Sequence, residues 1–222
     1  MNTIRIAIAD DQLLFRQSMA VLIESQPGFQ LAIEAGNGID FLDQLQNMPL
    51  LPHIALIDME MPGMDGMQLN DELHKRYPSI KVIVLSVHSK ERLVARMIQA
   101  GACGYLFKNC DKKELIDAIQ SVHNSGFYIT PVILRALQSG KANTPRSIKN
   151  FNSIPIDISK RETEILRLIC SELSAAEIAA RLFISVRTVD GHRNSLLQKT
   201  GCHNTAGLVL FAVKNNIFEL SF

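Results

Sequence analysis

Short apolar runs alternate with stretches of helical period through the first half of the chain. The runs have the length of strands and cover Ile4–Ala9, Phe29–Ala35, Ile54–Ile57, Ile80–Leu85 and Cys103–Phe107. Between them, apolar positions recur at helical spacing over Leu13–Ser25, Ile39–Met48, Met67–Tyr77, Glu91–Ala100 and Lys112–Asn124. Strands that alternate with helices of this length are typical of parallel pairing through crossover helices. The pattern predicts an α/β, doubly wound domain with a five-stranded parallel sheet.

The pattern changes after Phe127. Thr130 followed by Pro131 favours a short helix through about Gln138, with the threonine as its N-cap. Ser139–Asp157 is polar, lacks periodicity and contains two prolines, which indicates a linker.

The last part of the chain has the period of short helices. The sequences Ser159-x-x-Glu162 and Ser174-x-x-Glu177 have the spacing of capping boxes, which mark helix N-termini. Further helices are predicted from Ser185 to about Thr200 and over about Ala206–Asn215, which makes a small all-α bundle. We therefore predict a first domain over residues 1–126, a linker with the short helix over 127–154, and a second domain over 155–222.

Composition excludes several classes of protein. Of 222 residues, 47% are hydrophobic and 20% charged, which argues against disorder and against a disulfide-rich miniprotein. No apolar run reaches the roughly 18 residues of a membrane span, and the N-terminus lacks the pattern of a signal peptide. We expect a cytoplasmic protein without membrane contact. Its scattered cysteines are expected to be reduced thiols, and they are Cys103, Cys110, Cys170 and Cys202.

Charge is distributed unevenly between the two halves. Residues 1–130 hold 11 Lys and Arg against 15 Asp and Glu, whereas residues 131–222 hold 12 against 7. A basic C-terminal half raises the odds of a polyanionic partner, although a balance of this size is also common on ordinary surfaces.

Polar residues follow four of the predicted strands, and they are Asp10 with Asp11, Asp58, Ser86 and Lys108. Taken singly, each could cap a helix or open a turn. The carboxyl ends of parallel strands, however, meet at one edge of a sheet, where open α/β folds bind ligands. Clustered carboxylates favour a hard cation such as Mg²⁺. A carboxylate can also attack a phosphoryl group, whose charge a metal, a lysine and a hydroxyl would neutralise.

These residues and their surroundings resemble the receiver domain of two-component response regulators, a flavodoxin-like fold. The segments that carry the resemblance are Ala9–Asp11, Leu56–Gly66, Val84–Ser86 and Gly104–Lys108. It implies that Asp58 is the phosphoacceptor and that Ser86 and Lys108 engage the phosphoryl group. It also implies a Mg²⁺ ligand set of Asp10, Asp11, Asp58 and the Glu60 carbonyl. By the same likeness, Tyr105 is the switch aromatic, although an aromatic beside a buried strand is more often plain packing.

The second half contains a short alanine-rich helix followed by another helix, the arrangement of a helix-turn-helix. Segments Ile158–Leu166, Glu177–Leu182 and Ile184–Val189 resemble LuxR-type domains, so that the whole chain resembles NarL/FixJ-type regulators. Candidate DNA-binding residues on the second helix are Arg187, Thr188, Asp190, Gly191, His192, Arg193, Asn194 and Lys199. The resemblance implies phosphate contacts for Thr188, His192 and Lys199. The alternative is an ordinary solvated helix face.

The last predicted helix has an apolar stripe of Val209, Ala212 and Val213. Such a stripe serves either core packing or dimerisation, and the resemblance implies that this helix pairs two DNA-binding domains.

The leading hypothesis is a DNA-binding transcriptional regulator, not an enzyme, switched by a sensor histidine kinase and dimeric when active. One alternative is a phosphatase with an aspartyl-phosphate, which the sequence Asp58-Met59-Glu60 does not favour. The other is a phosphorylation-independent DNA-binding or scaffold protein with a vestigial receiver.

Overall fold

The computed structural model describes residues 3–88, 91–130, 133 and 158–218. The predicted linker lies outside these residues, and so does the predicted short helix apart from Thr130 and Ile133.

The first unit is a five-stranded parallel sheet with strand order β2-β1-β3-β4-β5. The strands are β1 (Ile4–Ala9), β2 (Phe29–Ala35), β3 (Ile54–Asp58), β4 (Lys81–Ser86) and β5 (Gly104–Phe107). The helices between and after them are α1 (Leu13–Glu24), α2 (Gly38–Gln46), α3 (Gly66–Arg76), α4 (Glu91–Gln99) and α5 (Lys112–Ser125). The predicted doubly wound fold is confirmed.

Alternate residues of the central strands pack on opposite faces of the sheet. Ile8 and Leu56 point to the face covered by α1 and α5, whereas Ala9 and Ile57 point to the face covered by α2, α3 and α4. Strand β3 is buried along its whole length because helices cover both faces. Helices on both faces thus enclose the strand that ends at Asp58.

The second unit is helical, with α6 (Lys160–Cys170), α7 (Ala175–Leu182), α8 (Val186–Thr200) and α9 (Thr205–Lys214). Both predicted capping boxes are present, because Ser159 and Ser174 each exchange hydrogen bonds with the glutamate three residues later. The predicted small helical bundle is confirmed.

Helix α9 carries the apolar stripe. Val209 and Ala212 are buried and Val213 is half-buried, because α9 packs on α6 and α8 and also approaches α4 of the first unit. Core packing thus accounts for Val209 and Ala212 in this structure, and pairing of two chains through the stripe stays a prediction. Among the helices described, none has the length and apolar character needed to span a bilayer.

Candidate functional site

Three carboxylates meet at the carboxyl edge of the sheet. Asp10 follows β1 and Asp58 ends β3, and the chain order of the strands reverses at this pair, where open sheets form ligand crevices. One oxygen from each of Asp10, Asp11 and Asp58 lies within 4.8 Å of the others. Asp10 and Asp58 are buried, whereas Asp11 is exposed. The sheet thus brings together the acids that the sequence predicted.

Lys108 follows β5 and reaches across the edge to two of these acids. Its Nζ lies 2.8 Å from Asp10 Oδ2 and 2.7 Å from Asp58 Oδ2. The Phe15 ring from α1 lies 4.8 Å from the same nitrogen, which favours the cation further. The ammonium is therefore held where charge on a group attached to Asp58 would need neutralising.

Burial governs the protonation of this cluster. Burial raises the pKa of Asp58, and the bond from Lys108 opposes that shift only in part. Burial by itself would lower the pKa of Lys108, but its bonds to Asp10 and Asp58 outweigh burial and raise it. Lys108 is therefore charged at neutral pH. The cluster then consists of three carboxyl groups and one cation, the Lys108 ammonium.

Gly66 allows α3 to begin directly behind the phosphoacceptor candidate. A Cβ at Gly66 would collide with the backbone carbonyl of Asp58, and the Gly66 amide donates a hydrogen bond to Met59 O at 3.0 Å. A residue with a side chain would therefore push α3 away from the end of β3. Gly66 belongs to the segment that carried the resemblance, and its role is steric.

A small pocket of about 130 Å³ opens beside Asp58. It is lined by Asp11, Gln12, Asp58, Glu60, Ser86, Val87, His88 and Lys108. The His88 ring lies 2.7 Å from a Glu60 carboxylate oxygen, so these two lining residues form a bridge beside the pocket. This bridge joins two loops that are far apart in the sequence, and no sequence pattern indicated it.

Ser86 and Tyr105 both contact the residue His88. The His88 amide donates to Ser86 Oγ at 3.0 Å, and the Tyr105 hydroxyl donates to the His88 carbonyl at 2.8 Å. Tyr105 is buried, so its ring is turned inward in this structure. Ser86, the predicted phosphoryl contact, and Tyr105, the predicted switch aromatic, are thus connected through the His88 backbone next to the pocket.

The donor set fits a divalent cation. Three carboxylates beside one ammonium leave an excess of two negative charges, and oxygen ligands are those that Mg²⁺ prefers. The Asp10, Asp11 and Asp58 side chains are placed to hold such an ion. The role of the Glu60 carbonyl as a further ligand stays a prediction.

The candidate DNA-binding residues lie on α8. Arg187, Thr188, Gly191, Asn194 and Lys199 are exposed, whereas Asp190, His192 and Arg193 are half-buried. A Cβ at Gly191 would point into open space. The surface therefore has room for a side chain at this position, but glycine supplies none. The exposed positions make α8 available to a partner along one face.

Several of these residues form ion pairs or hydrogen bonds within the protein. Lys199 Nζ lies 2.8 Å from the buried Glu162 carboxylate of α6, and Arg193 pairs with Asp190 at 3.0 Å. Lys199 therefore holds α8 on α6, a structural role that the sequence did not indicate. Its contact with DNA phosphate stays a prediction.

Two family models match this chain. Residues 6–120 match "Response regulator receiver domain", and residues 157–212 match "Bacterial regulatory proteins, luxR family". The fold and the acidic site thus define the first unit as a receiver. The chain belongs to the two-component response regulators that carry a LuxR-type DNA-binding domain.

Similar proteins match over nearly the full chain. The transcriptional regulatory protein DegU of Brevibacillus brevis is 31% identical over 225 residues, covering 96% of this chain and 94% of that protein. UhpA of Escherichia coli (strain K12) is 33% identical over 205 residues, covering 92% and 95%. The structure of an RcsB–DNA complex has the same fold, with a TM-score of 0.56 and 23% identity, and covers 94% of this chain and 96% of that one.

Proposed function

We propose that this response regulator accepts a phosphoryl group on Asp58 and thereby changes its affinity for DNA. The observation that carries the proposal is the Asp58 carboxylate, held 2.7 Å from the Lys108 ammonium inside an acidic cluster. A receiver domain implies a sensor histidine kinase as the phosphodonor. The phosphoryl group stays on the protein, so this chemistry serves as a switch.

The chemistry needs one bond to form and one to break. An oxygen of Asp58 attacks phosphorus, and the donor group leaves with the electron pair of the bond that it loses. Lys108 neutralises a phosphoryl oxygen, and Ser86 Oγ becomes a donor to another once it turns from the His88 amide. Mg²⁺, when held by the three acids, would supply further positive charge for the phosphoryl oxygens.

The response is a change in DNA binding by the helical unit. Exposed cations on α8 suit the phosphate backbone, and a helix-turn-helix places its second helix in the major groove. We propose that the phosphorylated protein binds double-stranded DNA as a homodimer. A solved structure of two RcsB dimers bound to two parallel DNAs has this fold, with a TM-score of 0.58.

The proposal is tested by intact mass after incubation with acetyl phosphate, with and without Mg²⁺. We expect a gain of one phosphoryl group that requires Mg²⁺, followed by tighter binding to duplex DNA. If no phosphoryl group is gained under any condition, the receiver is not a phosphoacceptor, and the vestigial alternative would replace this proposal.

Replacing Arg187 with alanine should weaken binding to a duplex DNA fragment about three- to tenfold. In wild type, we expect the exposed guanidinium on the first turn of α8 to displace counterions from a DNA phosphate. Without it, the slope of log affinity against log salt should fall by about one. Fluorescence anisotropy across a salt series measures both quantities. Arg76→Ala on α3 is the matched control, and equal losses in the two variants would contradict a DNA contact at Arg187.

A further inference from the structure

The turn between α8 and α9 lies against the receiver at the edge of the sheet remote from Asp58. The Asn204 side-chain amide donates to the carbonyls of Gly101 at 2.5 Å and Ala102 at 3.1 Å, both in the loop between α4 and β5. Its oxygen accepts from the Gly207 amide at 2.9 Å, so the same side chain caps α9. Asn204 thus caps the N-terminus of α9 and also hydrogen-bonds it to the receiver.

Gly126 lets the two units come close at a second point. It ends α5 with a left-handed backbone, and a Cβ there would lie 2.9 Å from the Thr205 hydroxyl. The name interdomain contact is used for His74, Gly101, Ala102 and Gly126 against His203, Asn204 and Thr205. These are short approaches, most of them polar, and they lie beside the place where α9 reaches α4.

A pair of histidines faces across this contact. The His74 ring on the last turn of α3 and the His203 ring before α9 have centroids 5.2 Å apart and planes at 86°. His74 is half-buried, whereas His203 is exposed. Neutral rings attract in this edge-to-face arrangement. Two imidazolium ions at this separation would repel.

The surroundings favour a neutral His74 ring while the units are in contact. Burial lowers the pKa of His74 and the charge of His203 lowers it further, whereas Asp71 on α3 opposes them. The α4–β5 loop presents uncharged backbone at Gly101 to the His74 ring. Two thiols lie close to this contact, Cys202 in the turn and Cys103, and burial raises the pKa of Cys103.

We propose that this interdomain contact is a proton-sensitive latch, in which protonation of His74 and His203 separates the helical unit from the receiver. Acid would then act on the same two domains as phosphorylation, but without any change at Asp58. This proposal goes beyond the phosphorylation switch. Its test uses the unphosphorylated chain, so a negative result would contradict this proposal without contradicting phosphorylation of Asp58.

The sign and size of the effect follow from the geometry. Because burial and the repulsion between charged rings disfavour a protonated His74 in the contact, the contact is fully stable above the usual histidine pKa of about 6.5 and weakens as pH falls below it. Two unit charges 5.2 Å apart in water repel enough to shift an equilibrium about fourfold. We therefore expect the ratio of open to closed chains to rise about fourfold between pH 7.5 and 5.5.

The test compares the tumbling of the two units by ¹⁵N relaxation of the full chain at pH 7.5 and 5.5, at constant ionic strength. Closed chains tumble as one body, whereas open chains tumble as two. We expect wild type to shift toward separate tumbling in acid and His203→Gln to respond much less. His203→Lys, with a permanent charge, should shift toward separate tumbling at a higher pH than wild type, because protonation of His74 alone then creates the repulsion.

The matched control is His123→Gln. His123 forms a similar edge-to-face pair with His53, with centroids 5.4 Å apart, but both rings belong to the receiver. This variant should keep the wild-type response to acid. Ring titrations by NMR add a second readout, since the pKa of His74 should rise in His203→Gln. The proposal is overturned if wild type and His203→Gln respond to acid alike, or if His74 titrates identically in both.

Discussion

Asp58→Asn should gain no phosphoryl group from acetyl phosphate under conditions in which wild type gains one. An amide oxygen is a far weaker nucleophile than a carboxylate, and the substitution also removes one of the three acids that would hold Mg²⁺. The variant should also lose the donor-dependent increase in DNA affinity. Intact mass measures the first result, and anisotropy with duplex DNA measures the second.

Asp65→Asn provides the control for this experiment. Asp65 is exposed and caps α3 through a hydrogen bond from the Gln68 amide, a role that asparagine also fills well. It should take up the phosphoryl group as wild type does. Uptake by Asp58→Asn at the wild-type level would show that another residue is the acceptor. Circular dichroism verifies that both variants are folded.

The sequence predicted the acidic site because a parallel sheet determines where strand ends meet. Asp10 and Asp58 are 48 residues apart in the chain but follow neighbouring strands, so strand assignment alone places them together. The helix starts at Ser159 and Ser174 were predictable for a different reason. Capping boxes are local, and both partners lie within one helical turn.

Contacts between separate elements could not be predicted in this way. The bridge from His88 to Glu60 depends on how two loops fold over the pocket, and neither loop has a repeating pattern. The Asn204 contact with the receiver depends on how two units pack, which hydrophobic periodicity does not encode. Periodicity determines which face of an element is buried, but not which side chain from another element meets it.

Lys199 illustrates the same limit within the helical unit. The resemblance implied a phosphate contact, whereas the structure places its ammonium on Glu162, a residue 37 positions earlier. Glu162 was predicted only as the reciprocal member of a capping box. In the structure Glu162 both caps α6 and binds α8. Its Oε2 accepts from the Ser159 amide and from Lys199, and its Oε1 accepts from Ser195 of α8.

Glu162→Gln should lower the free energy of unfolding of the helical unit by about 2–4 kcal/mol at pH 7. The carboxylate is 4% exposed and accepts hydrogen bonds from Lys199, Ser195 and the Ser159 amide, each at 2.8 Å. Only the carboxylate of this pair is buried, since Lys199 is exposed, and the loss comes from the three hydrogen bonds to the charged group, which are among the stronger ones. Urea titrations followed by amide signals of α6–α9 measure the loss.

The difference between this variant and wild type should shrink in acid. The bond from Lys199 lowers the pKa of Glu162 to about 2, from 4.5 for a free glutamate. A carboxylate with a lowered pKa contributes stability above its unfolded value, and that contribution is lost as pH falls from about 4.5 toward 2. Glu164→Gln, which removes an exposed surface pair with Arg161, should cost less than about 0.5 kcal/mol at either pH. Equal losses for the two variants at pH 7 would mean that the buried carboxylate does not hold α8 on α6.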